Sequence, residues 1–340
     1  MSVKNKKTKK SYRNKIDAFL KRRPHRSFRL TYRRDYKRSL DLPGYFVFTS
    51  YVAKILRKNR KLFISLALFF ALLNMLMVGI SSQDIYQNIS ETLDSTSNNA
   101  FDSIWGKFTK SGILLASVAT GVYSEGISES QQIYGSLIFL LIWLTTIWLL
   151  RNILAGRKVK LRDGLYSSGS PIVSTFLIFL LIIVQLLPFA LAMISYGAAN
   201  TSGLLSGGVE AMLFWIVALL LTTLSLYWLT SSLFALIIVT LPGMYPYQAI
   251  KTAGDLVIGR RMRIFFRLIW MLLVVIISWI IVAIPIIMLD SWLKTTWSGL
   301  GWMPIVPIMI LIMTSFTTVW VSSYIYLLYR KVVDDESEPS

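Results

Sequence analysis

Six long apolar runs divide the chain, and short polar or basic stretches separate them. A membrane-spanning helix needs about 20 mostly apolar residues, because it rises about 1.5 Å per residue and the hydrocarbon layer is roughly 30 Å thick. The runs therefore predict an all-α, polytopic membrane helix bundle of about six transmembrane helices, with interfacial amphipathic helices. The expected spans are residues 62–80, 133–150, 172–196, 209–241, 264–289 and 303–329.

These spans set the expected limits of the domains. Residues 1–41 are predicted to form a basic cytoplasmic N-terminal region, residues 42–331 the six-span membrane domain, and residues 332–340 an acidic C-terminal tail. Hydrophobic residues make up 54% of the chain. Soluble domains are about 45–50% apolar even when glycine is counted, so part of this apolar surface must be covered by lipid.

Residues 241–263, between the fourth and fifth spans, carry a helical pattern of their own. Apolar residues recur there at offsets of three and four, which places them on one helix face. They are Ala249, Ile250, Ala253, Leu256 and Val257. The pattern predicts a short helix on the membrane surface, with Arg260, Arg261 and Arg263 among lipid headgroups. Its apolar face is expected to pack in the lipid boundary or on neighbouring spans. A solvated loop is the alternative interpretation.

A similar plan precedes two other spans. Residues 42–61 contain a Pro-Gly pair, an amphipathic stretch and a basic cluster, and residues 160–166 repeat the plan more weakly. With the motif P-x-x-A-I-x-x-A-x-x-L-V-x-G-R at residues 246–260, the plan resembles a broad family of uncharacterised bacterial six-span membrane proteins. That family includes the membrane domain fused in some bacteria to glycerophosphodiester phosphodiesterase. The resemblance covers about residues 43–330 and implies a membrane bundle. It does not carry over the phosphodiesterase activity, because that domain is absent from this sequence.

The distribution of Lys and Arg predicts the orientation of the chain. With both termini in the cytoplasm, only Lys107, Lys110 and Lys294 of the 36 basic residues fall in exterior segments. Cytoplasmic loops of membrane proteins are enriched in basic residues, so we expect a multi-pass protein of the cell membrane, specifically the cell inner membrane. Within the exterior segment 81–132, residues 112–123 are too short to cross and form either a re-entrant piece or an outer-surface helix.

The N-terminal region carries two basic segments with apolar residues on one face. Such segments suit an anionic membrane surface, where each Lys or Arg adds about 1 kcal/mol of attraction. Arg22, Arg23, Arg33 and Arg34 are therefore predicted to contact lipid headgroups. A nucleic acid or a ribosome would require the same residue types, and a protein partner or a solvated tail are further alternatives. Attachment to a membrane favours lipid.

The residue types that most often carry catalysis are scarce. The chain has no cysteine and a single histidine, His25. These counts exclude disulfides, thiol nucleophiles and Cys/His metal sites. The phosphate-binding loop GxxxxGK[ST], the GxSxG nucleophile elbow and the HExxH zinc motif are also missing from the sequence. We therefore expect no enzyme activity, no cofactor and no metal site.

Few strongly polar residues lie within the spans. Asn74 in the first span and Gln185 in the third are predicted to be intramembrane hydrogen-bonding residues. No Asp, Glu, Lys or Arg lies in the middle of a span, where an ion-coupled transporter would place one. Glu210, Arg267 and Asp290 lie near span ends and are interpreted as membrane-interface residues.

These patterns favour a non-catalytic integral membrane protein that acts as a membrane-organising or accessory factor. Its expected partners are membrane lipids, anionic ones first, and a membrane protein. The main alternative is a transporter or flippase of a lipid-like or apolar substrate, built on the third, fifth and sixth spans, where Pro188, Pro285 and Pro307 predict kinks. A membrane-embedded enzyme is a third alternative.

The topology can be tested by cysteine labelling, because the chain has no cysteine of its own. Single cysteines at Arg157 and Lys251 should be protected from an impermeant thiol reagent in sealed cells, and one at Ser95 should react. Labelling of all three after permeabilisation is the control. Reaction of Arg157→Cys from outside intact cells would overturn the six-span orientation.

Overall fold

The computed structural model describes residues 42–79, 128–297 and 303–337, and these residues form helices without a β-strand. The helices are α1 (Tyr45–Lys58), α2 (Arg60–Met77), α3 (Glu129–Leu154), α4 (Leu161–Ser168), α5 (Ile172–Thr201), α6 (Gly208–Ile238), α7 (Pro246–Val257), α8 (Arg261–Thr296) and α9 (Ile305–Ser337). Six of them, α2, α3, α5, α6, α8 and α9, are long and apolar enough to cross a membrane. The predicted all-α membrane bundle of six spans is therefore confirmed.

The chain repeats one plan three times, in which a short amphipathic helix is followed by two spans. Helix α1 leads into α2 and α3, α4 leads into α5 and α6, and α7 leads into α8 and α9. Each short helix packs on the second span of the preceding unit, α4 on α3 and α7 on α6, while α1 packs on α9. The three units therefore close into a ring, because the first unit contacts the last.

Helix α7 is the short helix that the periodicity of residues 241–263 predicts. It begins at Pro246, whose fixed φ suits the first helical position, after a turn in which Gly243 has φ +77°. Ala249, Ala253 and Val257 have no exposed surface, because this face packs on α6 and on α5. Of the two predicted locations for this face, the lipid boundary and the neighbouring spans, the structure shows the second. The two alanines let α7 approach the spans closely.

Helix α4 lies equally close to α3. A Cβ atom added to Gly164 would lie 2.9 Å from Leu149 Cδ2, a distance that real Cβ contacts do not show. The hydroxyls of Ser168 and Thr145 share a buried hydrogen bond of 2.9 Å next to this contact. The glycine thus permits a short helix to be fastened to a span by a polar contact.

Helix α1 joins the first unit to the third. Its Phe48 ring meets the Tyr324 ring of α9 edge to face, with centroids 4.9 Å apart. Trp270 of α8 packs edge to face against Phe46 at 4.7 Å, and its indole N–H donates to Thr49 Oγ1 at 3.0 Å. Aromatic pairs of this geometry add about 0.5–1.5 kcal/mol beyond their buried area, so they help to close the ring.

The hairpin of α5 and α6 contains a proline inside a helix. Pro188 disturbs the hydrogen bonds of the preceding turn of α5. The next residue, Phe189, donates its backbone N–H to Ser225 Oγ of α6 at 3.1 Å, and Ser232 Oγ donates to Gln185 Oε1 at 2.6 Å. Helix α6 therefore supplies polar partners on both sides of the proline.

The packing of α7 can be tested with adjacent substitutions. Ala253→Glu places a carboxylate in a position without exposed surface, and we expect a loss of at least about 2 kcal/mol in stability, because an unpaired buried charge is strongly disfavoured. Thr252→Glu is the matched control, since Thr252 is exposed. Membrane abundance and the unfolding temperature in detergent are the measurements. Equal values for Ala253→Glu and wild type would mean that this face is solvated.

Candidate functional site

The basic residues gather at one end of the bundle. Successive spans run antiparallel, so α2, α5 and α8 begin, and α3, α6 and α9 end, on the same side. Every Lys and Arg that the structure describes, apart from Lys294, lies on this side, which we call the basic end. Its exposed cations are Lys54, Arg57, Lys58, Arg60, Lys61, Arg157, Lys158, Lys160, Arg162, Lys251, Arg263 and Lys331.

The three arginines at the start of α8 occupy different environments. Arg263 is exposed, whereas Arg260 is only 3% exposed and its Nη1 donates to the backbone carbonyl of Val332 at 3.2 Å. Arg261 is half-buried, with its guanidinium 3.5 Å from the centroid of the Tyr227 ring and its Nη1 donating to the Tyr227 carbonyl. Headgroup contact stays a prediction for all three, and exposure favours Arg263 and Arg261 over Arg260.

Arg267, one turn further along α8, is buried. Its Nη2 donates to the backbone carbonyl of Pro43, and its guanidinium lies 4.4 Å from the Tyr45 ring centroid and 5.7 Å from that of Phe48. A desolvated cation–π contact is worth about 2 kcal/mol. The first turn of α1 therefore covers Arg267, and its placement at the level of the membrane interface stays a prediction.

Asp290 is buried at the opposite end of α8. It forms an ion pair with Lys294 one turn later, with Nζ 2.8 Å from Oδ1, and it is 1% exposed. Trp292 and Trp297, nearby, are largely exposed, as in the aromatic belts of membrane proteins. Asp290 is thus paired within the protein, while the tryptophans occupy the outer surface.

A polar cavity of about 460 Å³ opens at the basic end, where α3 ends and α5 begins. Arg151 lines it and donates through Nη1 to the Thr240 carbonyl at 3.0 Å and through Nη2 to Thr240 Oγ1 at 2.6 Å. The serines that line the cavity are Ser167, Ser168, Ser170 and Ser174. A guanidinium among hydroxyls is an environment that suits a phosphate or another anion.

The two intramembrane polar residues have different surroundings. Gln185 accepts the hydrogen bond from Ser232 and so links α5 to α6. Asn74 lines a cavity of about 310 Å³ between α2, α3 and α9, together with Thr314 and Thr318. The structure therefore places Gln185 in a helix–helix contact and Asn74 beside open space.

Two arginines bind the turns before short helices, and the sequence alone does not predict these contacts. Leu-Pro-Gly occurs at residues 42–44 and again at residues 241–243. Arg267 binds the Pro43 carbonyl across 224 residues, and Arg151 binds the Thr240 carbonyl, next to the second turn, across 89 residues. The repeated Leu-Pro-Gly can be seen in the sequence, but the sequence does not show which arginine binds each turn.

Two predictions concern segments outside the described residues. One is the headgroup contact of Arg22, Arg23, Arg33 and Arg34. The other is the re-entrant piece or outer-surface helix at residues 112–123. Among the described residues, no three His, Cys, Asp or Glu side chains come together in a group that could hold a metal ion.

No family model, curated protein or solved structure matches the chain. The resemblance to six-span membrane proteins stays a prediction.

The structural role of Arg267 can be tested by Arg267→Met. We expect a loss of about 2–3 kcal/mol in stability, because the Pro43 carbonyl loses a charged donor and Tyr45 loses the cation. Arg267→Lys should recover little of it, since an ammonium lacks the planar fork. Thermal unfolding in detergent gives the measurement, with the exposed Arg263→Met as the matched control. Similar unfolding temperatures for Arg267→Met and the control would contradict this role.

Proposed function

We propose that the chain is a non-catalytic protein of the cell inner membrane that organises the membrane, or assists a membrane-protein partner, by contacting anionic lipid at its basic end. Both termini lie in the cytoplasm under this proposal. The observation that carries it is the segregation of charge, because every described Lys and Arg except Lys294 lies at one end of a six-span bundle.

The attraction to lipid is mainly electrostatic in this proposal. The apolar face of α7 is covered by α6 and α5, so it does not drive insertion of that helix into the headgroup region. The exposed cations remain, and most of them lie on the short helices or next to them. Each adds about 1 kcal/mol of attraction near an anionic surface. A cluster of this size is suited to enriching anionic lipid around the protein.

The buried ionisable residues support a structural interpretation over catalysis. Arg260 binds a backbone carbonyl of α9, Arg267 binds one before α1, and Asp290 pairs with Lys294. These contacts hold helices together, and each of these charged side chains has a partner within the protein. Catalytic groups would instead face a cavity that a substrate can enter.

A second candidate function is the transport or flipping of a lipid-like substrate. The cavity beside Asn74 favours it, because a carboxamide facing about 310 Å³ of space within the spans can bind a polar group. The kink-forming Pro188 in α5 also gives a span that can bend. The two functions differ in whether lipid crosses the bilayer.

The proposal predicts which lipids remain with the purified protein. The variant Arg57→Gln, Lys58→Gln, Arg60→Gln, Lys61→Gln removes four exposed cations at the junction of α1 and α2. We expect it to retain less phosphatidylglycerol relative to phosphatidylethanolamine than wild type, and to release it at lower salt. Mass spectrometry of co-purified lipid gives the ratio. Exchanging Lys for Arg and Arg for Lys at the same positions is the matched control.

Two results would contradict the proposal. One is an equal lipid ratio for the glutamine variant and wild type. The other is rapid movement of a fluorescent lipid across proteoliposomes of the wild-type chain, lost in Asn74→Leu. The second result would favour transport.

A further inference from the structure

Helix α6 and the first turns of α8 line a groove on the outer surface of the bundle. Its volume is about 620 Å³. Its walls are exposed, since Trp215 is 56%, Tyr227 54% and Met262 63% exposed, so lipid has access to it in a membrane. The residues that line the groove include Trp215, Ala218, Thr222, Tyr227, Arg261 and Phe265.

The groove is apolar although threonines line it. Thr222 Oγ1 donates to the Ala218 carbonyl at 2.8 Å, and Thr223 Oγ1 donates to the Leu219 carbonyl at 2.7 Å. Hydroxyls bonded back to their own helix are satisfied, and the surface left for a ligand is largely hydrocarbon. Ala218 and the threonines are also small, so a trough forms between the larger Trp215 and Tyr227.

One end of the groove is cationic. Arg261 lines the end of the groove that is nearest the basic end of the bundle. Its guanidinium carbon lies over the Tyr227 ring, 3.5 Å from the ring centroid. Its Nη1 donates to the Tyr227 carbonyl, and a guanidinium carries five N–H donors in a rigid fork that matches phosphate. The stacking holds this fork in place, so a phosphate meets an oriented donor group.

The length of the groove matches one leaflet of a bilayer. From Trp215 to Tyr227 the helix rises about 18 Å, at 1.5 Å per residue, and one leaflet contributes roughly 15 Å of hydrocarbon. An acyl chain that lies along α6 therefore has its headgroup near Arg261. The groove therefore fits one anionic amphiphile. It has apolar walls, a length that matches one leaflet, and one lining cation, Arg261, at the level of the headgroup.

We propose that this groove binds one anionic glycerophospholipid, with its phosphate at Arg261 and an acyl chain along α6. The inference rests on the proposed contact with anionic lipid and names the site. A second copy of the chain is a poorer occupant, because two copies inserted in the same orientation would bring their basic ends to the same level and repel each other.

The test uses the full chain in detergent, titrated with brominated phosphatidylglycerol or brominated phosphatidylcholine. Bromine on the acyl chain quenches nearby tryptophan, and comparison with Trp215→Phe isolates the signal of Trp215. We expect saturable quenching of Trp215 by phosphatidylglycerol at lower concentration than by phosphatidylcholine. Arg261→Gln should weaken phosphatidylglycerol binding about fivefold. It should weaken phosphatidylcholine binding less, because the choline ammonium offsets the charge of that lipid's phosphate.

The groove itself is tested by filling it. Ala218→Phe should weaken binding of both lipids, because the new ring occupies the acyl-chain path. Leu220→Phe is the matched control, since Leu220 is 62% exposed on the same helix and does not line the groove. Size-exclusion chromatography checks the fold and the oligomeric state, and Thr222→Leu replaces Ala218→Phe if that variant does not fold.

The outcomes separate this inference from the proposed function. Equal weakening by Arg261→Gln and Arg263→Gln would overturn the groove site and leave a general attraction to anionic lipid. Unchanged lipid binding in Ala218→Phe with an altered oligomeric state would assign the groove to a second copy and overturn the inference. No preference of the wild type for phosphatidylglycerol would overturn both.

Discussion

The backbone carbonyls at the basic end require partners, because a turn between helices leaves them without an intrahelical bond. Where protein or lipid excludes water, an unpaired carbonyl is costly. Arginines from another unit of the ring meet this requirement, Arg267 at Pro43 and Arg151 at Thr240. Each contact crosses from one unit to another. The arginines therefore satisfy the turns and at the same time link units of the ring to one another.

Ring closure changes the role of the short helices. An amphipathic helix next to a membrane has two surfaces available for its apolar face, the lipid and the neighbouring spans. In α7 the choice is decided by Ala249 and Ala253, whose small side chains allow close contact with α6. A larger residue at either position would hold the helices apart. The short helices therefore brace the bundle, and lipid attraction is left to the exposed cations and to surfaces between spans.

The six spans and the buried face of α7 could be predicted because hydropathy and helical period are properties of a single segment. The environment of individual polar residues could not be predicted in this way. Arg263 and Arg267 are four residues apart and share a helix face, yet one is exposed and the other is 6% exposed. The difference arises from α1, more than 200 positions earlier in the chain. The contact of Gln185 with Ser232 likewise depends on the register of α6 against α5, which no local pattern contains.

The contacts of Arg260 and Arg261 determine the shape of the surface between α6 and α8. Arg260 fixes the start of α8 to the end of α9, and Arg261 fixes it to Tyr227 of α6. Trp279 of α8 donates to Thr317 of α9 at 3.0 Å further along the span. Helix α8 is therefore fixed to its neighbours both at its start, which lines the groove, and further along. Binding in a preformed groove requires less ordering of protein groups than binding on a flexible surface does. This difference supports the proposal that a single lipid binds there.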